Sequence, residues 1–305
     1  MLVLFAEVLV LVTISIALVM SARQAMLAAY VHFSVAANRA SVRKQMVLQP
    51  KCGGEAANPG DLPTVHILVP AHNEERVLAD CLNAIVAFDY PKERYRVLVI
   101  NDRSVDRTGA IADEFTRRFE LVEVLHRAND AVAGKSAALA DGLERSASDV
   151  IVLFDADYVP EPSLLRELVE PFRDPGVGAT MGRVVPMNAD RNMLTRILDL
   201  ERRAGYGVDQ NGRNLLNLVP QFGGTVGGIR RSALDSVGGW RHGLLTEDTD
   251  LTFRLLLGGW RVAYVNHAAC YEEVTEDWQS RFKQVRRWAY GHNECLNDYF
   301  MAALT

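Results

Sequence analysis

Short apolar runs alternate with helical segments between residues 65 and 154 of this 305-residue chain. The runs predict strands, and the segments between them predict helices: strands at 65–69, 95–100, 121–125 and 150–154, and helices at 74–87, 106–119 and 135–145. Alternation at this spacing indicates βαβ units and a mostly parallel sheet. Ligands of such sheets bind beyond the carboxyl ends of the strands. The sequence therefore predicts an α/β fold whose site lies at that edge.

Acidic residues follow two of these strands. Asp155 and Asp157 flank Ala156 directly after the fourth run, and residues i and i+2 of an extended chain point the same way. Two such carboxylates suit Mg²⁺ or Mn²⁺, which would bridge to the phosphates of a nucleotide. A solvated turn is the alternative interpretation. Asp102 ends the second strand and can accept hydrogen bonds from a base or a ribose.

Two further segments are expected to line the same crevice. The segment from Pro70 to Glu74 ends the first strand, and we expect its His72 to be structural. Lys135 opens the third helix, where outward-pointing backbone N–H groups favour phosphate contact. An ordinary exposed lysine is the alternative. Asp106 is expected to cap the second helix.

The second half of the chain is less regular. We predict a strand at 177–185, a glycine-rich stretch at 221–228, and helices at 193–206, 247–257 and 278–296. Thr246 is the expected N-cap of the helix that begins with Glu247 and Asp248. The helix dipole would keep a carboxylate here ionised, so that it could take a proton from an attacking hydroxyl. Plain capping is the alternative role.

Gln284, Arg287 and Trp288 stand at i, i+3 and i+4, on one face of the last predicted helix. An amide, a guanidinium and an indole on one face form a surface for a diphosphate and a sugar, since arginine pairs well with phosphate. The alternative is an amphipathic helix with Trp288 in the core.

The first twenty residues differ from the rest, because Leu2 to Met20 is a nearly unbroken apolar run of bilayer-spanning length. A signal peptide and a buried helix are the alternatives. The basic residues follow the run, which predicts a cytoplasmic location for the remainder, at the cytoplasmic membrane. We expect a transmembrane helix at 1–21, a juxtamembrane helix and linker at 22–60, and a catalytic domain at 61–305.

The formal charge of −5 argues against a nucleic-acid partner, and four scattered cysteines argue against a zinc site.

These motifs together resemble family 2 glycosyltransferases of the GT-A fold. The resemblance runs from about Val65 to Gly291 and is strongest to the membrane-bound branch that includes cellulose, hyaluronan and poly-N-acetylglucosamine synthases. It implies a Rossmann-like sheet with helices on both faces. It also implies site roles: nucleotide contact by Pro70, Glu74, Asp102, Lys135 and Asp155, metal binding by Asp157, catalysis by Asp248 as general base in a segment with Glu247, and donor-diphosphate and acceptor contact by Gln284, Arg287, Trp288, Gly223 and Gly224.

Two positions depart from the family pattern. Arg103 stands where Asp-Asp-Gly is common, and Ala140 stands where an Asn is common. Synthases of this branch also continue into a membrane channel beyond the helix that contains Trp288. A partner subunit that forms a membrane channel is therefore a possible partner, if the chain is complete.

The resemblance implies inverting transfer of glucose or N-acetylglucosamine from a UDP-sugar to an acceptor hydroxyl, with Mg²⁺ or Mn²⁺ and a β-linkage, in polysaccharide synthesis at the membrane. Three alternatives stay open. The acceptor could be a lipid or another single molecule. The chain could be a catalytically silent membrane subunit, or a nucleotidyltransferase on a similar sheet.

Overall fold

The computed structural model describes residues 18, 20–32, 62–241 and 243–300. The predicted membrane span therefore lies almost wholly outside the described residues, as does the part of the predicted juxtamembrane helix and linker between residues 33 and 60. Within those ranges, no helix is both long enough and apolar enough to cross a membrane. The first described element is a helix over residues 20–32 (α1).

Eight strands form one sheet across the described part of the chain. In chain order they are β1 Val65–Ala71, β2 Tyr95–Asn101, β3 Val122–His126, β4 Val150–Leu153, β5 Tyr158–Pro160, β6 Val177–Pro186, β7 Gly227–Arg230 and β8 Arg261–Glu272. Their spatial order is β3-β2-β1-β4-β7-β6-β8-β5. The first four strands are parallel to one another, as the alternation predicts.

The remaining helices connect and cover these strands. They are α2 Leu78–Val86, α3 Thr108–Arg118, α4 Lys135–Glu144, α5 Leu164–Val169, α6 Met193–Arg202, α7 Asn211–Leu215, α8 Arg231–Ser236, α9 Glu247–Leu257 and α10 Trp278–Tyr299. A π-helical segment, Arg203–Gln210, joins α6 to α7. Helix α1 packs here, with Leu27 buried against Gly212 and Arg23 paired with Asp209.

Helices cover both faces of the sheet. Alternate residues of one buried strand face opposite sides: Val97 and Val99 join a core with residues of α2, α3 and α5, while Leu98 and Ile100 join a second core with residues of α4, α8 and α9. This confirms the predicted layers. Burial of both faces also explains why the strands appear in the sequence as continuous apolar runs.

The second half of the sheet is mixed, so the prediction of a mostly parallel sheet holds only for its first half. Strand β7 runs antiparallel to β4 and β6, and β5 runs antiparallel to β8. The sequence did not predict β5, β7 or β8. Strand β7 contains Gly227, where a Cβ would lie 2.6 Å from Phe222 Cε2 and 2.7 Å from the Thr180 carbonyl oxygen. The close packing of Phe222 and Thr180 against the backbone therefore requires glycine at position 227. Glycine has no apolar side chain, so the sequence here lacks the apolar pattern that indicates a strand.

Candidate active site

A cavity of about 1000 Å³ opens beyond the carboxyl ends of β1, β2 and β4, where the fold places a ligand. It collects residues that are distant in sequence. Its walls include these predicted site residues: Pro70, Glu74, Asp102, Lys135, Asp155, Asp157, Gly223, Glu247, Asp248, Gln284, Arg287 and Trp288. Gly224 adjoins it, and its carbonyl oxygen accepts a hydrogen bond of 3.0 Å from Lys135 Nζ.

Asp102 lines the cavity directly after β2 and is held by two guanidinium groups. Arg127, whose side chain is 2% exposed, donates to Asp102 Oδ1 at 2.6 Å. Arg103 donates to both oxygens, at 2.8 and 3.1 Å. Burial raises the pKa of Asp102, but these hydrogen bonds outweigh it, and the resulting pKa is lower than usual. His72 Nδ1 lies 2.6 Å from the Asp102 carbonyl oxygen, in keeping with its expected structural role.

Asp155 and Asp157, in the segment after β4, both line the cavity. Burial, and next the charge of Asp155, raises the pKa of Asp157 to about 7. In the part of the chain that the structure describes, no group of three or more His, Cys, Asp or Glu side chains could hold a metal ion by itself. One or two carboxylates with phosphate oxygens are nevertheless the usual ligands of Mg²⁺ in nucleotide sites. The donor set therefore fits a metal that arrives with a diphosphate.

Lys135 lies between Asp155, which follows β4, and Glu247, which begins α9. Its Nζ is 2.5 Å from Asp155 Oδ1 and 3.8 Å from Glu247 Oε1. Burial lowers the pKa of this lysine, but the surrounding carboxylates outweigh burial and raise it overall. Lys135 is thus a fixed cation at the start of α4, as its predicted phosphate contact requires.

Glu247 and Asp248 begin α9 and face the cavity. Thr246 is the N-cap of this helix, as predicted, but its side chain makes no capping hydrogen bond, and Thr246 Oγ1 instead lies 3.7 Å from Cys295 Sγ. Burial raises the pKa of Asp248, and the Thr249 N–H and Lys135 only partly offset it. The direction of this shift is opposite to the one that a helix dipole alone would give. A raised pKa makes the carboxylate a better proton acceptor once it is ionised.

Helix α10 presents Gln284, Arg287 and Trp288 to the cavity together, as their spacing predicts. The indole ring of Trp288 is not in the core. Two guanidinium groups lie over it, with Arg281 Cζ at 5.2 Å and Arg202 Cζ at 5.9 Å from the ring centroid. The indole is therefore already engaged by cations.

The sequence did not point to Arg202, Arg281 or Glu272. Arg202 Nε donates to Glu272 Oε1 at 2.5 Å, and Tyr158 Oη donates to Glu272 Oε2 at 2.8 Å. Arg281 Nη1 donates to Gln284 Oε1 at 2.7 Å. Helical spacing could have identified Arg281, three residues before Gln284. Arg202 and Glu272 lie on other elements and carry no such signal.

Helix α9 is docked against α10. A Cβ on Gly291 would lie 2.5 Å from Thr246 Oγ1, so glycine allows this approach. Thr249 Oγ1 lies 2.9 Å from His292 Nδ1, and Tyr299 Oη donates to Asp250 at 2.5 Å. These contacts fix Asp248 relative to the face that contains Trp288.

Comparison with known proteins decides the family. The family described as "Glycosyltransferase like family 2" matches residues 63–291, most of the chain. The chain belongs to glycosyltransferase family 2. The predicted family and the predicted enzyme class are thereby confirmed, while the membrane-bound branch stays a prediction.

Two relatives of this glycosyltransferase family 2 chain are similar in sequence. The "Probable glycosyltransferase YdaM" of Bacillus subtilis is 37% identical over 237 residues, which cover 77% of this chain and 56% of the relative. The "Beta-monoglucosyldiacylglycerol synthase" of Nostoc sp. is 35% identical over 241 residues, covering 79% and 51%. The chain thus spans about half the length of these curated relatives.

A solved structure shows the same fold as this glycosyltransferase. It is a mannosyltransferase from Pyrobaculum calidifontis in complex with GDP-Man and Mn²⁺. It has a TM-score of 0.66 and 21% identity, and the match covers 91% of this chain and 76% of that one.

Proposed function

We propose that this chain transfers glucose or N-acetylglucosamine from a UDP-sugar to an acceptor hydroxyl with inversion, giving a β-linkage. One observation supports this above all. Asp155 and Asp157, Lys135, Asp248 and Arg287 come from four separate elements and line one cavity. A nucleotidyltransferase would explain the strand-end aspartates but not the half-buried Asp248 and the Arg287 that line the same cavity.

The proton and the leaving group have separate partners in this proposal. The acceptor oxygen forms a bond to the anomeric carbon while the bond from that carbon to the diphosphate breaks. The acceptor proton goes to the Asp248 carboxylate. Lys135 and Arg287 donate to the departing diphosphate, where charge builds up.

Asp157, with Asp155 beside it, would hold the Mg²⁺ or Mn²⁺ that accompanies the donor. When bound, the metal neutralises charge on the diphosphate. The Mn²⁺ and GDP-Man in the structure of the Pyrobaculum calidifontis mannosyltransferase support this assignment. Their presence there also makes the choice of nucleotide a point to be tested.

For the acceptor we propose a growing polysaccharide at the membrane, since the element formed by Gln284, Arg287 and Trp288 favours polymer synthesis. A lipid acceptor is the second candidate. The observation in its favour is the Nostoc relative, whose name is that of a glucosyldiacylglycerol synthase. The apolar run at residues 2–20 is proposed as the anchor that keeps the catalytic part at the cytoplasmic face.

The test is UDP release by the detergent-solubilised chain with Mn²⁺, with UDP-glucose and UDP-N-acetylglucosamine in parallel. Asp248→Asn should abolish release, whereas Asp235→Asn, in an exposed ion pair with Arg231 on α8, should not change it. Product length on a gel then separates polymer from lipid transfer. No release with either donor from folded protein contradicts the proposal and favours a silent subunit.

A further inference from the structure

Arg103 has a backbone conformation that costs free energy. Its φ is +58°, in the left-handed region that favours glycine. Such conformations persist in non-glycine residues when the surroundings enforce them, and they cluster at ligand sites. Arg103 directly follows Asp102 and lines the cavity.

The surrounding loops lock this conformation. Asn73, also at positive φ (59°), lies in the loop after β1 and contacts the loop after β2. Its Oδ1 accepts from Val105 N at 2.9 Å, and its own N–H donates to Ser104 Oγ at 3.0 Å. Glu74 N donates to Thr108 Oγ1 at 2.7 Å. The Arg103 backbone is therefore held in place, and its side chain is directed at the cavity.

Arg103 is not needed to neutralise Asp102. Arg127 is 2% exposed and already donates to Asp102 Oδ1 at 2.6 Å. The Arg103 side chain is 23% exposed and supplies the only charged partner of Asp102 Oδ2 among the described residues, at 3.1 Å. If Arg103 turns away, Oδ2 keeps only a long hydrogen bond of 3.4 Å from the Gly134 N–H and can accept from a ligand, while Arg127 keeps the carboxylate in position.

The order of groups along the cavity identifies that ligand. Asp157 marks the diphosphate, and Asp248 marks the acceptor hydroxyl. Asp102 and Arg103 follow β2, which β1 separates from β4 and the Asp155–Asp157 segment that follows it, so they line the part of the cavity into which the nucleoside extends from the diphosphate. In this part a carboxylate acceptor stands next to a guanidinium donor.

We propose that Arg103 is a specificity-determining residue that reads the nucleobase together with Asp102. This rests on the proposed function. On binding, a base N–H replaces Arg103 at Asp102 Oδ2, and Arg103 donates to the carbonyl beside that N–H. Uracil and guanine both present an N–H next to a carbonyl, whereas cytosine and adenine present an acceptor nitrogen next to an amino group. The pair accepts the first two bases and rejects the others, because mismatched polar groups would be left unpaired.

The test is isothermal titration calorimetry of the full chain with Mn²⁺ and UDP, GDP, CDP or ADP. UDP or GDP should bind at least about tenfold more tightly than CDP and ADP, and the comparison of UDP with GDP identifies the base. Arg103→Gly should weaken the preferred nucleotide about 10- to 100-fold, as expected for hydrogen bonds to a charged group. Its affinity for CDP and ADP should hardly change. Its melting temperature should equal or exceed the wild-type value, since glycine relieves the positive φ.

Two further variants keep the test decisive. Arg107→Ala removes an exposed arginine of the same loop that does not line the cavity, and should change nothing. Arg103→Lys keeps the charge but loses the planar guanidinium, so its preference for UDP or GDP over CDP and ADP should lie between those of wild type and Arg103→Gly. If Arg103→Gly does not fold, Arg103→Lys takes its place in the test. An unchanged preference in Arg103→Gly, or an equal loss for all four nucleotides, overturns the inference alone. Wild-type protein that binds none of them overturns the proposed function as well.

Discussion

Asp157→Asn should stabilise the metal-free protein. The pKa of Asp157 rises from 3.8 to about 7 in the folded state, because of burial and then the charge of Asp155. Each unit of pKa difference corresponds to about 1.4 kcal/mol. An ionised Asp157 at pH 8 therefore costs the folded state about 4 kcal/mol. Asparagine carries no charge and avoids this cost.

The pH dependence follows from the sign of the shift. A raised pKa in the folded state means that wild-type stability falls as pH increases from about 4 to about 7. The advantage of Asp157→Asn should be about 4 kcal/mol at pH 8 and about 2 kcal/mol at pH 5. Urea unfolding with EDTA, followed by tryptophan fluorescence, measures both values. The reasoning would be refuted if Asp157→Asn were no more stable than wild type at pH 8. It would also be refuted if the difference in the free energy of unfolding between variant and wild type were the same at pH 8 and pH 5. Added Mn²⁺ should stabilise wild type only.

Three further substitutions test other contacts of the site. Gly291→Ala places a methyl group 2.5 Å from Thr246 and should lower the free energy of unfolding by about 1–3 kcal/mol, measured by thermal unfolding. The control Gly207→Ala, whose Cβ would have nothing within 4 Å, should be tolerated, and equal stability of the two variants contradicts the close packing at Gly291. Glu272→Gln weakens the ion pair that holds Arg202 over the indole and should lower kcat for UDP release more than it raises KM; an unchanged kcat argues against that role of Arg202. Lys135→Met removes a cation among carboxylates, so kcat/KM should fall about 10- to 100-fold and the pH optimum should move upward; an unmoved optimum contradicts its electrostatic role.

The first half of the fold could be predicted because its signals are local. Its inner strands β1, β2 and β4 are buried on both faces and appear as apolar runs, and each of β1, β2 and β3 is followed by a helix with its own periodicity. The helix expected at 74–87 begins only at Leu78. The residues before it are drawn into hydrogen bonds with the neighbouring loop, as Glu74 is with Thr108.

The second half depends on pairings between distant segments. Strand β8 runs parallel to β6 with two irregularities in register, so its twelve residues lack strict alternation. Strand β5 has only three residues. Neither leaves a pattern that sequence alone could separate from a loop.

The candidate site was predicted residue by residue but not in its electrostatics. Spacing placed Asp155 with Asp157 and Gln284 with Trp288 correctly in the cavity. It gave no sign of the guanidinium of Arg202 over the indole, 86 residues away in sequence. It also gave no sign of the burial that raises the pKa of Asp248, because burial depends on the packing of the whole domain.

The most direct test of the central claim is the anomeric configuration of the transferred sugar. The detergent-solubilised chain would be supplied with Mn²⁺, ¹³C-labelled UDP-glucose or UDP-N-acetylglucosamine, and either diacylglycerol or an oligosaccharide as acceptor. Proton and carbon NMR of the fresh product identifies the new linkage. Attack by a hydroxyl that Asp248 deprotonates, opposite the departing diphosphate, predicts a β-linked product. An α-linked product would contradict direct inverting transfer in this cavity.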